Sequence, residues 1–197
     1  MSAMPGRDSV TPAGPGVKLT YDDYVLFPDD GKRHELIDGE HYVTPSPNSR
    51  HQVLLGELFG FLWTHLQTHP GGRAFLSPFD VVFSRFDVVE PDLLYMSDET
   101  AARILTSQNV QGTPDLVVEI GSPGTRKRDA TIKKRLYERA GVAEYWIIDP
   151  EKDIVHIFRS ADGQFAPPIE LSREAGDVLS TQLLPGFSLA LARLFRD

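Results

Sequence analysis

Apolar residues along the chain form short runs separated by turn residues, and one run carries the clearest strand pattern. In PDLVVEIGSP, residues 114–123, four of the five positions from 116 to 120 are apolar, which is typical of a buried strand. Glu119 is the exception. Burial of even a neutral polar group without a partner costs about 2–7 kcal/mol. We therefore expect the Glu119 carboxylate to meet a charged or hydrogen-bonding partner.

The N-terminal half of the pattern predicts a short helix, a hairpin and a long helix. Thr20 and the acidic residues that follow it in TYDDYVLF are typical of a helix start. In HELIDGEHYV two β-prone runs flank Asp38-Gly39, the strongest short-range hairpin signal, and the first run carries Glu35. Residues 49–69, SRHQVLLGELFGFLWTHLQTH, have the spacing of an amphipathic helix.

The C-terminal half predicts further strands and helices. Two strands, FDVVFSRF and VVEPDLLYM, precede a short helix capped by Ser97. The strand with Glu119, the helix TRKRDATIKKRLYERAG and the strand AEYWIID then form a crossover unit over residues 114–149, which joins a parallel pair. A late hairpin turns at Asp162-Gly163, and a small helix ends the chain. This order of elements predicts an α/β or α+β fold.

Length and composition indicate one globular domain. The 197 residues are 41% apolar and 24% charged, which is typical of a globular chain. Residues 1–17 are rich in proline and glycine, and we expect a flexible tail there before a single domain over residues 18–197. No apolar run approaches the roughly 18 residues of a membrane-spanning helix, and no secretory signal is present. We expect a cytoplasmic protein.

Two carboxylates in apolar strands form the first candidate site. Asp92, in the strand PDLLYM, is as costly to bury alone as Glu119. Like charges at close range repel, so such a pair must share a proton or bind a cation. The chain has no cysteine, and oxygen ligands suit Mg²⁺ or Mn²⁺. The alternative is that each carboxylate pairs separately with an arginine or a backbone N–H.

Positive charge is concentrated in one segment of an acidic protein. The net charge is −8, yet residues 125–141 hold seven basic and two acidic residues. Such a confined basic patch suits a local phosphate contact, with Arg126, Lys127 and Arg128 as candidates to touch substrate. The alternative for a charge run alone is a solvated helix face.

A helical wheel separates the basic residues of this segment. At about 100° per residue, Lys133 falls in the apolar arc shared with Ile132 and Leu136. Lys134 and Arg135 fall outside that arc. We therefore expect Lys133 to reach toward the two carboxylates of the sheet, although a snorkelling stem with a hydrated ammonium is the alternative.

Six stretches in fixed order carry a family resemblance: HELIDGE, SRHQ, EPDLLYM, PDLVVEIGSPGTRKRD, KKRLYERAGVAEYWIIDPE and LLPGF. From about Tyr21 to the C-terminus the chain resembles the large bacterial family of putative restriction endonucleases within the PD-(D/E)XK nuclease superfamily. The resemblance implies a restriction-endonuclease-like core, a mixed central β-sheet flanked by helices, with N-terminal and C-terminal β-hairpins. It also implies that Asp92 and Glu119 are the metal-binding acids and that Glu35 is an additional acid.

The chain departs from the superfamily pattern at one position. The pattern expects a lysine two residues after the second acid, where this chain has Gly121. In this family the basic residue lies on the following helix, and the matching position is Lys133, which the wheel also directs inward. The loss of a lysine is also a way for a nuclease fold to become inactive.

Other residues near these motifs are weaker candidates. His51, in SRHQ, is a candidate for contact with substrate or metal, but a histidine in a first helical turn is about as often a capping or packing residue. Asp115 lies on the same strand face as the second acid and is a candidate outer acid. Tyr137, Tyr145 and Trp146 occupy apolar positions and are expected to be core aromatics.

These observations predict a metal-dependent nuclease that hydrolyses phosphodiester bonds of nucleic acid, with DNA as the expected substrate and Mg²⁺ or Mn²⁺ as cofactor. Asp92, Glu119, Lys133 and Glu35 are the predicted catalytic residues. The alternatives are an inactive nuclease-fold module that binds nucleic acid or a partner, and a carboxylate-metal hydrolase for a small phosphoester. Apolar residues spread around the 49–69 helix beyond one face, which predicts a homodimer.

Overall fold

The structure, a computed structural model, describes residues 16–44, 46–122 and 129–196. Its helices are α1 (Tyr21–Tyr24), α2 (Ser49–Thr68), α3 (Asp98–Ile104), α4 (Lys134–Ala140) and α5 (Leu191–Leu194), and a π-helical turn, Asp129–Lys133, precedes α4. Its strands are β1 (Arg33–Ile37), β2 (Glu40–Thr44), β3 (Gly72–Leu76), β4 (Val81–Ser84), β5 (Asp87–Val89), β6 (Leu93–Ser97), β7 (Val110–Gln111), β8 (Leu116–Ile120), β9 (Glu144–Asp149), β10 (Ile154–Ala161), β11 (Gln164–Phe165), β12 (Ile169–Ser172), β13 (Val178–Leu179) and β14 (Leu189–Ala190).

The main sheet is mixed. Its strand order is β11-β10-β9-β8-β6-β3, and β12 also pairs with β10. Strands β8 and β9 are parallel, as the predicted crossover requires, whereas β6 runs antiparallel to β8. The predicted mixed sheet flanked by helices is confirmed.

A second sheet, of order β2-β1-β5-β4-β7, begins with the predicted N-terminal hairpin. Its turn residues Asp38 and Gly39 have φ values of 54° and 75°, the conformation that Asp-Gly adopts in tight hairpins. The turn of the late hairpin has the same conformation at Asp162 and Gly163, with φ values of 52° and 80°. A small third sheet pairs β13 with β14.

Two helices cover opposite faces of the main sheet. Leu58 and Leu62 of α2 pack in one apolar cluster with Trp146 of β9. Leu136 of α4 belongs to the other cluster, with Tyr145 of β9. Consecutive residues of a strand point to opposite faces, so Tyr145 and Trp146 place one aromatic ring in each cluster. Both are fully buried, as predicted for core aromatics.

Local signals determine where these helices begin and end. The Asn48 side chain accepts a hydrogen bond from the His51 backbone N–H and caps α2, while Ser97 caps α3 through the N–H of Thr100. Helix α4 ends at Gly141, whose φ of 79° is left-handed, a conformation that favours glycine.

The strand prediction is wrong at one place and missed strands β3, β7, β12, β13 and β14. The predicted strand over residues 88–96 is interrupted at residues 90–92, because the chain passes there from β5 of the second sheet to β6 of the main sheet. Pro91 lies in this crossing, where its missing N–H removes no ladder bond. Strand β3 was not predicted, since its sequence GRAFL alternates poorly, and it forms by antiparallel pairing with β6.

Several predictions fall partly outside the described residues. The described residues do not include residues 1–15 of the predicted tail or residues 125–128 of the predicted basic helix. The division into a tail and one domain over residues 18–197 stays a prediction. Within residues 16–44, 46–122 and 129–196, no helix has the length and apolar character needed to span a bilayer.

Candidate active site

Three predicted residues meet in the interior between the two sheets. The Lys133 ammonium lies 2.7 Å from Glu119 Oε1 and 2.8 Å from Glu35 Oε1. Glu35 comes from β1, Glu119 from β8 and Lys133 from the π-helical turn. Their exposed fractions are 1%, 3% and 2%. The partner expected for the buried Glu119 carboxylate is therefore Lys133.

The helix that carries Lys133 supplies a second donor to the same carboxylate. The Tyr137 hydroxyl donates to Glu119 Oε1 at 2.6 Å. Residues four apart lie on one helix face, so Lys133 and Tyr137 both point at β8. The π turn adds a residue per hydrogen-bonded ring, yet Lys133 still faces inward, as the wheel predicts. Tyr137 is buried as expected, but it is also part of the polar site.

Lys134 differs from its predicted position. The wheel directs it to solvent, but it is half-buried, and its ammonium lies 4.9 Å from the centre of the Phe158 ring. A cation over an aromatic face is stabilised by the ring quadrupole. Lys134 therefore packs on β10, and Lys133 is the lysine that contacts the carboxylates.

Glu35 is fixed by further hydrogen bonds. Its Oε2 accepts from the Thr44 hydroxyl at 3.1 Å, and its Oε1 accepts from the Glu90 backbone N–H at 3.2 Å. Thr44 ends β2, and Glu90 follows β5. The N-terminal hairpin therefore holds Glu35 against the main sheet.

Asp92 lies beside Glu119 on the neighbouring strand. The antiparallel register pairs Leu93 with Val118, so Asp92, one residue earlier, stands opposite Glu119. Its Oδ2 accepts from the Ile120 backbone N–H at 2.8 Å. This places the two predicted metal-binding acids on the same face of the sheet at adjacent positions.

Two side chains complete the surroundings of Asp92. Arg33 Nη1 donates to Asp92 Oδ1 at 2.8 Å, and His51 Nε2 donates to Asp92 Oδ2 at 3.0 Å. Burial tends to raise the pKa of Asp92, but these partners outweigh it and lower the pKa to about 2. Asp92 is therefore a carboxylate at neutral pH.

The surroundings shift the pKa values of both Glu119 and Lys133. Burial raises the pKa of Glu119 to about 8, with Lys133 opposing and the charges of Asp92, Asp129 and Glu35 reinforcing the rise. Burial lowers the pKa of Lys133, but Glu119, Glu35 and Asp129 outweigh that effect and raise it. The ammonium stays charged, whereas Glu119 keeps its proton at neutral pH, and a nearby cation would favour its ionised form.

A cavity of about 420 Å³ is lined by Arg33 and His51, which contact Asp92, and by Glu90, whose backbone N–H contacts Glu35. His51 Nδ1 and Glu90 Oε2 are buried and have no hydrogen-bond partner among the residues that the structure describes. Buried polar groups are normally paired. The two unpaired atoms therefore belong to side chains that line the cavity.

Comparison with known proteins identifies the family. The family model described as "Uma2: Putative restriction endonuclease" matches residues 21–192. The chain belongs to the Uma2 family. This confirms the resemblance seen in the sequence, and membership in Uma2 supports a nuclease function.

A solved structure shows that the Uma2 fold is shared. A putative nuclease belonging to DUF820 from Anabaena variabilis ATCC 29413 superposes with a TM-score of 0.76 at 19% sequence identity, covering 90% of this chain and 97% of that chain. Comparison with curated proteins gave no match.

The structure brings most predicted site residues together. Glu35, Glu119 and Lys133 are in direct contact, and His51 contacts Asp92. Arg126, Lys127 and Arg128 lie outside the described residues. Asp115 does not join the site, because its carboxylate accepts from the Ser97 N–H and the Thr100 hydroxyl at the start of α3.

The sequence analysis missed three residues of the site: Arg33, Glu90 and Tyr137. A signal existed for each of them. Glu90 stands two residues before Asp92 in EPDLLYM, and Arg33 lies two residues before Glu35 on one face of β1. Tyr137 follows Lys133 by four residues, which is the spacing of helix neighbours.

Proposed function

We propose that the protein is a metal-dependent nuclease that hydrolyses phosphodiester bonds of nucleic acid, with DNA as the expected substrate. The observation that carries the proposal is the buried lysine held between two glutamates, beside a third carboxylate, Asp92, whose partners Arg33 and His51 line a cavity. Family membership supports it. A nucleic-acid substrate also fits the cytoplasmic location predicted from the sequence.

The carboxylates fit a hard divalent cation, and Asp92 and Glu119 would hold it. Within the described ranges, no three His, Asp or Glu side chains are grouped to bind a metal. Magnesium, however, is usually bound by one or two carboxylates, with water and substrate phosphate completing its shell. Burial raises the pKa of Glu119 and the neighbouring carboxylates raise it further, so a cation such as Mg²⁺ or Mn²⁺ at this position would favour the ionised carboxylate. When bound, such a cation would polarise the scissile phosphate and lower the pKa of a water molecule.

The chain's own residues would position and stabilise the reacting groups. Lys133 keeps a positive charge in a water-poor site, where it is most effective against the charge that develops on a phosphate. Tyr137 fixes the orientation of Glu119. Arg33 borders both Asp92 and the cavity, and its planar guanidinium is suited to phosphate oxygens. Glu35 would complete the acid set, directly or through water.

An inactive binding module is the second candidate function, and Gly121 favours it. The superfamily lysine is absent at that position, and Lys133 already pairs with two carboxylates. In such a module Arg126, Lys127 and Arg128 would still contact phosphate without cleavage. Replacing Asp92 or Glu119 separates the two functions. A nuclease loses cleavage and keeps most binding, whereas a metal-free binder keeps its affinity or gains some as repulsion falls.

The proposed assembly is a homodimer through the exposed face of α2. Val53 and Trp63 on this face are 49% and 52% exposed. Gly56 and Gly60 lie between them with open space above each. Exposed apolar side chains at helical spacing are typical of an interface, and small residues let two helices approach closely.

One incubation panel tests the function. The protein is mixed with duplex, single-stranded or branched DNA, or with RNA, in Mg²⁺, Mn²⁺ or EDTA. We expect cleavage of a nucleic acid with metal and none with EDTA. Binding without cleavage under every condition would support the inactive module.

A further inference from the structure

A second cavity adjoins the one beside Asp92. It measures about 410 Å³ and has Asp29, Lys32 and Glu90 in common with the first cavity. Its volume lies within the range of about 300–1,000 Å³ typical of small-molecule sites. The two cavities are therefore neighbouring compartments, and only the first touches Arg33 and His51.

Aromatic rings line one side of the second cavity. Tyr21, Tyr24, Phe27 and His34 follow one another in contact, with ring centroids 6.3, 5.6 and 5.5 Å apart. All four are half-buried. A series of aromatic rings facing a cavity is the platform on which proteins stack unpaired nucleobases.

Acidic groups line the other side. The Tyr24 hydroxyl donates to Asp80 Oδ1 at 2.7 Å and lies 3.4 Å from Glu90 Oε1. Glu90 Oε2 is buried with no hydrogen-bond partner in the described part of the chain. Carboxylate oxygens accept from exocyclic amino groups of bases, whereas they repel a phosphate.

Two basic side chains lie where the two compartments meet, beside the shared acids Asp29 and Glu90. Lys32 lines both cavities, and Arg33, the next residue, lines the first. If a nucleotide placed its phosphate near these two side chains, its base would lie toward the aromatic rings. The adjacent nucleotide of the strand would then lie toward Asp92. Paired bases inside a duplex cannot enter such a compartment, so the strand must be single or the base extruded.

We propose that this second compartment binds one unstacked nucleobase, and prefers a base with an exocyclic amino group, while the adjoining strand lies at the carboxylate cluster. This inference rests on the proposed function, because it assumes a nucleic-acid substrate. Through this site the protein would recognise nucleotides that are single-stranded or flipped out of a duplex.

The test measures binding in EDTA, where metal-dependent cleavage cannot occur. The full chain is titrated into a single-stranded oligonucleotide that carries 2-aminopurine, whose fluorescence falls when it stacks on an aromatic ring. We expect quenching by the wild type. Phe27→Leu should weaken binding about fivefold or more and reduce the quenching, since each stacked base contributes substantially to affinity. Phe86→Leu is the matched control, because Phe86 packs under Arg85 outside the cavity.

Competition between oligo-dC and oligo-dT tests the acidic wall. We expect dC to bind about tenfold more tightly, because only cytosine has an amino group for Asp80 and Glu90. The near-isosteric Asp80→Asn should reduce that preference while keeping an acceptor for Tyr24. This variant keeps the proposal testable if Phe27→Leu does not fold.

Equal affinities for dC and dT, or equal losses in Phe27→Leu and Phe86→Leu, would overturn the base site. Cleavage with no quenching would reject the base site and leave the nuclease proposal standing. Quenching with base preference but no cleavage in any metal would support the base site and reject the nuclease.

Discussion

The Lys133 ammonium donates to Glu119 Oε1 at 2.7 Å, and both side chains are buried. The two residues are fourteen positions apart and belong to a strand and to the helical segment that follows it. Through this contact a lysine reaches the Glu119 carboxylate from a helical segment, the place where the sequence predicts the basic residue that the superfamily pattern expects at Gly121.

Lys133→Met should lower the single-turnover cleavage rate by about 10²–10³, because it removes preorganised positive charge from the site. Lys134→Met is the control, since it removes an identical charge that packs on Phe158 instead. We expect Lys134→Met mainly to weaken nucleic-acid binding and to make that binding less dependent on salt concentration. Equal losses of cleavage in the two variants would be incompatible with a catalytic Lys133.

Tyr137→Phe should reduce cleavage about fivefold, since an intramolecular hydrogen bond is worth about 0.5–1.5 kcal/mol. Tyr145→Phe is the matched control. Its ring contacts Tyr137 at 4.8 Å, but its hydroxyl donates to the Asp129 carbonyl. Thermal unfolding should show a similar loss of stability in both variants, while cleavage falls only in Tyr137→Phe. A parallel fall would mean that Tyr137 acts only through stability.

Stability should fall as pH drops through the pKa of Asp92. That pKa is about 2 in the folded protein, against a usual 3.8. A lowered pKa contributes stability that is present above about pH 4 and lost toward pH 2, here about 2 kcal/mol. Urea unfolding at pH 6, 4 and 2 measures it. Asp92→Asn should have a lower free energy of unfolding overall, but it should lose less of that free energy between pH 4 and 2 than the wild type does. An equal loss in the two proteins would contradict the assignment of this pH dependence to Asp92.

Ionisation of Glu90 should have the opposite effect, so that stability falls as pH rises. Burial and the nearby charge of Asp80 raise its pKa to about 7 from 4.5. The folded protein therefore retains a proton that the unfolded chain has lost, and ionisation weakens folding as pH rises from 4.5 to 7. Glu90→Gln should gain stability relative to the wild type across this interval. Parallel unfolding curves for the two proteins would show that Glu90 titrates normally.

Trp63→Lys should convert the proposed homodimer to a monomer, because a charge at the centre of an apolar helix contact is costly to bury. Light scattering at micromolar concentration measures the mass. Val178→Lys is the control, since Val178 is an exposed apolar residue on β13, away from α2. A monomeric wild type would refute the dimer itself.

The sequence alone determined the local elements and the faces of the residues on them. The Asp-Gly hairpins, the cap at Ser97 and the inward direction of Lys133 follow from turn chemistry and helical periodicity, which depend on neighbours along the chain. The family motifs also indicated which carboxylates to expect near one another. These signals need no knowledge of how the elements pack.

Only the tertiary structure decided which elements meet. Lys133 bridges to Glu35, and Arg33 to Asp92 across 59 positions, because β1 pairs with β5 and the chain then crosses at residues 90–92 into the main sheet. Strand β3 exists through its pairing with β6, and the two adjoining cavities arise from the same crossing. Strand order and register are set by long-range packing, which periodicity within one element does not encode.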